Sequence, residues 1–106
     1  MAVVLAAVLA GLFGTVWRGP ITPVCHEGQP CSEPAAGVRL TFVHDGKAVR
    51  SVVTTSTGRY RVRLPPGSYL VRLTKTSSIE RMRPASATVR PGAMTRRSFF
   101  IDTGIR

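Results

Sequence analysis

The 106-residue chain has no asparagine, only two lysines, two cysteines, one tryptophan and five acidic residues. Two cysteines are too few for a scaffold held together by disulfides in place of a core. An apolar content of 43% and a mean hydropathy of +0.10 exclude a disordered basic tail. Beyond the apolar start, no stretch keeps helical periodicity over ten residues, which argues against a helical bundle. There is no G-x-S-x-G, no H-E-x-x-H and no phosphate-binding glycine loop. A chain of this length holds one domain and leaves no room for a catalytic lobe beside it.

What is present is positive charge. Fifteen Lys and Arg stand against five Asp and Glu, a net charge of +10, and thirteen of the fifteen are Arg. A field of that size on a small domain attracts anionic partners. An arginine-heavy, asparagine-free alphabet also follows from GC-rich codons, so composition alone leaves function and genome bias as rival sources.

Met1 to Phe13 is almost unbroken apolar sequence, and the first charged side chain is Arg18. A spanning helix needs about 20 apolar residues, whereas the apolar region of a signal peptide needs about 7–15. Val8 and Ala10 place small residues at the −3 and −1 positions of a cleavage after Ala10, although no basic residue precedes the run. The segment 1–10 therefore reads as a signal peptide and 11–106 as the mature domain. A hydrophobic first strand and a retained membrane anchor over residues 1–17 are the alternatives. Export places the protein outside the cytoplasm, in the envelope or beyond, where Cys25 and Cys31 read as a disulfide closing a Pro- and Gly-rich loop. A metal site at Cys25, His26 and Cys31 lacks a fourth ligand unless His44 approaches, and C-x5-C is not a zinc spacing. No cofactor and no metal are expected.

The remainder alternates with a period of two and is cut by turn residues. Expected strands cover Leu12–Arg18, Val38–Val43, Lys47–Thr55, Arg59–Leu64, Ser68–Thr74, Ala85–Arg90 and Ala93–Asp102, with Asp45-Gly46 as a two-residue hairpin turn. A second hairpin about Pro66-Gly67 sets Leu64 opposite Tyr69, Val62 opposite Val71 and Tyr60 opposite Leu73, all on one buried face. Seven short strands predict an all-β, antiparallel two-sheet sandwich. Its expected core is Val16, Leu40, Phe42, Val53, Tyr60, Val62, Leu64, Tyr69, Val71, Val89, Phe99 and Ile101.

The run from Thr55 to Val71, TSTGRYRVRLPPGSYLV, resembles the T-x-x-G-x-[YF]-x-V-x-L-P-P-G-x-Y-x-V pattern of carboxypeptidase regulatory-like domains. Three further pieces are similar to a small exported subgroup in high-GC bacteria: Gly19-Pro20 before Pro23-Val24-Cys25, then Gly28-Gln29-Pro30-Cys31, then the ending Asp102-Thr103-Gly104-Ile105-Arg106. The resemblance covers about Gly14 to Arg106. It implies a seven-stranded Greek-key, prealbumin-like (transthyretin-like) fold with no catalytic activity, serving in folding support, adhesion, or carbohydrate or protein contact. The short leader and the density of Arg depart from the pattern.

Candidate site residues follow from the expected hairpin. It sets Arg61 opposite Arg72, flanked by Arg59 and Arg63, and like charges facing one another across strands repel. These four form a candidate anion-binding face that Arg81, Arg83, Arg96 and Arg97 could extend; solvated arginines covering apolar surface are the plain alternative. An anionic envelope polymer, a glycan or a protein are the partners such a face suits. Nucleic acid is disfavoured, because Tyr60 and Tyr69 fall on the core side, and a monomer is expected. Exposed, Trp17 would contact sugar or membrane. Nucleophilic catalysis finds no support in His26, His44, Asp45 or Asp102, since His44-Asp45 precedes Gly46 in a turn that favours Asp for its own reasons. The sequence therefore predicts an exported, non-enzymatic binding or accessory module; a membrane-tethered structural domain is the alternative.

Overall fold

The computed structural model describes residues 10–21, 24–25, 27–28, 30–73 and 81–103, with Arg81 and Arg83 described by their backbone alone. All the regular elements among them are strands: β1 (Gly11–Gly19), β2 (Glu33–Pro34), β3 (Arg39–His44), β4 (Lys47–Val53), β5 (Arg59–Arg63), β6 (Gly67–Leu73), β7 (Arg81–Arg83), β8 (Ser86–Val89), β9 (Met94–Arg96) and β10 (Phe99–Asp102). No helix among the described residues is long and apolar enough to cross a membrane.

The strands form two sheets, of six and four strands. In the four-stranded sheet the order is β4-β3-β6-β8 and every pair is antiparallel. The β3–β4 hairpin turns at Asp45-Gly46 as the sequence predicts, with both residues at positive φ, 50° and 76°. The spine of the other sheet is β1. Its first half pairs with β5 on one side and β9 on the other; its second half pairs with β2 and β10 on the same respective sides, and β7 closes the far edge. The β1 contacts with β9 and β10 are parallel, so the expectation of a wholly antiparallel sandwich is corrected. A first strand and a last strand that lie side by side in one direction need the whole chain as their connection, and alternation within either carries no sign of it.

The inward faces of both sheets share one core of Leu12, Val16, Leu40, Phe42, Tyr60, Val62, Leu64, Tyr69, Val71, Val89, Phe99 and Ile101, with Ala10, Ala35 and Ala87 between them. Of the residues expected there, only Val53 is out of place, at 45% exposed. Pairing sets Val52 beside the buried Leu40 and Val53 beside the exposed Arg39. In a run of adjacent valines, alternation cannot say which one points inward.

The expected β5–β6 hairpin is absent. β5 pairs with β1, whereas β6 lies in the other sheet between β3 and β8. Tyr60, Val62, Leu64, Tyr69 and Val71 are all buried as the alternation requires, but they meet across the core rather than along a ladder. Pro65-Pro66 lacks two backbone donors and favours extended backbone, so the chain crosses between sheets there. The Tyr69 hydroxyl donates to Pro65 O and pins the crossing. The last expected strand is interrupted at Arg97-Ser98, and two short strands, β2 and β7, fall in segments read as loops.

Ala10 is wholly buried and its carbonyl accepts from Leu64 N. Residues 1–9 lie outside the described residues, so the leader expected there is not placed. Gly11–Gly19 is the central strand of its sheet, so residues 11–17 of the anchor reading over residues 1–17 lie within the fold.

Candidate functional site: the outer face of the six-stranded sheet

Along β1, Leu12 and Val16 point into the core, while Phe13, Thr15 and Trp17 point outward. Cross-strand pairing then fixes what stands beside them. Phe13 has Arg61 of β5 on one side and Arg96 of β9 on the other, and Thr15 pairs with Arg59. Farther along the strand, Trp17 has Pro34 on one side and Phe100 on the other. Trp17 is 41% exposed, whereas Phe13 and Phe100 are half-buried in the sheet surface.

An open groove of about 740 Å³ occupies the basic end of this face. It is lined by Arg59, Arg61, Arg96, Phe13 and the hydroxyl-bearing Thr15, Thr55 and Ser98, and it reaches Val52 and Val53 on β4, at the edge of the other sheet. The Arg96 guanidinium carbon lies 5.6 Å from the centre of the Phe13 ring, a cation–π contact that holds the charge over the groove. Among the described residues no carboxylate pairs with Arg59, Arg61, Arg63 or Arg96. Guanidinium groups gathered in one concavity can receive carboxylate or phosphate in a bidentate fork.

A buried device shapes the groove from beneath. The Tyr60 hydroxyl donates to Arg97 O at the break between β9 and β10, while Arg97 N donates to Phe13 O and keeps the ladder to β1. A Cβ at Gly14 would sit 2.4 Å from Arg97 O, so only glycine allows this approach. Burial pushes the Tyr60 phenol well above its ordinary range, and the positive Arg97 opposes that only in part. The phenol is therefore a neutral donor at any ordinary pH.

The candidate residues sort as follows. Arg59, Arg61 and Arg63 alternate outward on β5. Arg72 does not join them: it pairs with Thr41 in the four-stranded sheet and faces solvent on the opposite side of the sandwich. The pairing of Arg61 with Arg72 is thus corrected, because the hairpin that would have created it does not form. Phe13 takes the place beside Arg61, and Arg96 stands on the far side of Phe13. The side chains of Arg81 and Arg83 and the whole of His26 lie outside the described residues. What the sequence reading missed is Phe13 and Phe100. Phe13, Thr15 and Trp17 do alternate against Leu12 and Val16, a signal that one face was shared, but the strand bringing arginine to that face is remote in sequence.

Elsewhere, Cys25 and Cys31 are joined by a disulfide with Cα atoms 5.5 Å apart, which fits an oxidising, extracytoplasmic environment. The short pieces that carried the family resemblance meet at this end: Gly19 pairs with Asp102, Ile21 N donates to Cys31 O, and the Thr103 hydroxyl donates to Pro20 O. The His44 ring contacts Ser68 O at 2.9 Å, the Asp45 carboxylate at 3.3 Å and the Tyr69 ring, a set that braces the hairpin end against β6. No cluster of three metal-ligating side chains occurs among the described residues. No protein-family model matches the chain, and no curated protein matches it.

Proposed function

We propose that this chain is an exported, non-catalytic binding or accessory module of the cell envelope or the extracellular space. In this reading it is a relative of the carboxypeptidase regulatory-like domains and shares their Greek-key, prealbumin-like order. The observation that carries the proposal is the groove of Arg59, Arg61 and Arg96 about Phe13, open to solvent and, among the described residues, without a paired carboxylate. Like charges gathered on the two strands that flank β1 repel one another, and an anionic partner offsets that cost. The Cys25–Cys31 bridge supports an oxidising compartment.

The test is export and retention together. Expressed as the full chain in a bacterial host, the protein is recovered outside the cytoplasm with its bridge formed and binds isolated envelope saturably. Arg61→Ser with Arg96→Ser abolishes that retention while the fold persists. Recovery in the cytoplasm, or retention indifferent to the double variant, overturns the proposal.

The burial of Ala10 favours a second reading, in which residues before β1 stay attached as a tether. Intact mass separates the two: a new terminus at Gly11 supports removal, and a retained Met1 supports the tether.

A further inference from the structure

The outer face of the six-stranded sheet carries more than charge. The row Pro34–Trp17–Phe100 crosses β2, β1 and β10 as neighbours in register, with adjacent strands about 4.8 Å apart. Four residues along β1 from Trp17 lies Phe13, about 13 Å away at the usual strand rise, between Arg61 and Arg96. One face of the sheet therefore offers an apolar platform, a lane with a Thr15 hydroxyl, and a cationic groove in succession.

We propose that this face binds an anionic polysaccharide, specifically a carboxylated one, lying along β1. A pyranose ring rests on Trp17 beside Phe100, and carboxylates of the same chain reach Arg61, Arg96 and Arg59. The inference rests on the reading of the chain as a binding module and names what it binds.

Four features select this chemistry. A sugar ring has apolar C–H faces that lie on an aromatic ring and hydroxyl edges that meet Thr15, Thr55 and Ser98. A featureless polyanion would use the arginines and leave Trp17 without a role. A lipid surface calls for apolar side chains that enter the acyl boundary, whereas Phe13 and Phe100 are half-buried in the sheet. Single-stranded nucleic acid shares the pairing of rings with cations, but the disulfide fits an oxidising environment better than one that holds nucleic acid.

The experiment titrates the full chain, at about 150 mM NaCl, with four probes: polygalacturonate, a neutral amylose, oligothymidylate and phosphatidylglycerol vesicles. Trp17 is the only tryptophan in the chain, so its emission reports contact at the platform directly. The expected result is saturable binding of polygalacturonate with a change in Trp17 emission. Affinity falls at least tenfold in Trp17→Ala and in the Arg61→Ser, Arg96→Ser double variant, while Arg72→Ser on the other sheet binds as the parent does. If Trp17→Ala fails to fold, the emission change in the parent chain decides the platform.

Binding without any change in Trp17 emission, or equal binding of amylose, overturns the inference. Tighter binding of oligothymidylate or of vesicles at this face also overturns it, yet leaves the binding-module reading standing. Absence of binding to all four probes overturns the inference; joined to absence of envelope retention, it removes both.

Discussion

Gly58 sits at φ +76°, and a Cβ there would lie 2.8 Å from Val16 O, 2.9 Å from Ala35 N and 2.9 Å from the Pro34 side chain. Gly46 has the same φ and nothing within 4 Å. Gly58→Ala therefore loses the roughly 1–3 kcal/mol of a strained left-handed residue and also separates β1 from the turn it packs on. Gly46→Ala pays only the first. Urea unfolding of the two variants checks the order, which fails if Gly46→Ala is the worse. Tyr60 argues in the same way from below the groove. Tyr60→Phe leaves Arg97 O without its donor, a loss of about 1–3 kcal/mol if that carbonyl finds no water, and the β9–β10 break loosens with it. Burial raises the pKa of both Tyr60 and Tyr69, so the unfolded chain releases these protons first. Their contribution is complete below about pH 10, the ordinary tyrosine range, and declines as pH rises beyond it. A stability profile measured up to pH 11.5 should fall more steeply in the parent than in the Tyr60→Phe, Tyr69→Phe double variant.

At the scale of the element, faces were legible where partners were not. The alternation of Arg59–Arg63 correctly separated outward arginine from inward Tyr60 and Val62, because pleating is a property of each strand alone. Its partner β1 lies far back in sequence, and the signature P-P-G invited a hairpin that the chain does not make. For that reason local pattern puts Arg72, which lies opposite Thr41, beside Arg61, where Phe13 stands. Thr54 shows a second kind of concealment. It is buried, its hydroxyl donates to Ala35 O and accepts from Val38 N, and so it ties the end of β4 to the turn before β3. Nothing in the order of residues marks it as more than the end of a strand. The Cys25–Cys31 loop packs beside Gly19, whose Cβ would come within 2.8 Å of Cys31 O. In the chain-entropy account so short a ring contributes about 2 kcal/mol. Reduction, or Cys25→Ser with Cys31→Ser, should lower the urea midpoint accordingly while the β-type circular dichroism persists. Loss of that signal would mean the bridge is a condition of folding.

For the whole molecule, a net charge of +10 on 106 residues makes self-repulsion a standing term in stability. The urea midpoint should rise as NaCl increases from about 10 to 300 mM, as screening shortens the Debye length. The gain should shrink in the Arg61→Ser, Arg96→Ser variant if the groove is a main source of the repulsion. The amino-acid order by itself determined the β class, the inward side of nearly every strand, the Asp45-Gly46 hairpin and the closeness of the two cysteines. Each of these depends on neighbours a few residues apart, so periodicity and turn chemistry suffice to read them. Only the tertiary structure decided that β1 runs parallel to β9 and β10, that β5 and β6 part into different sheets, and that Arg96 rather than Arg72 completes the basic face. Those outcomes are set by which strands share one core, a competition among long-range pairings that local pattern does not encode.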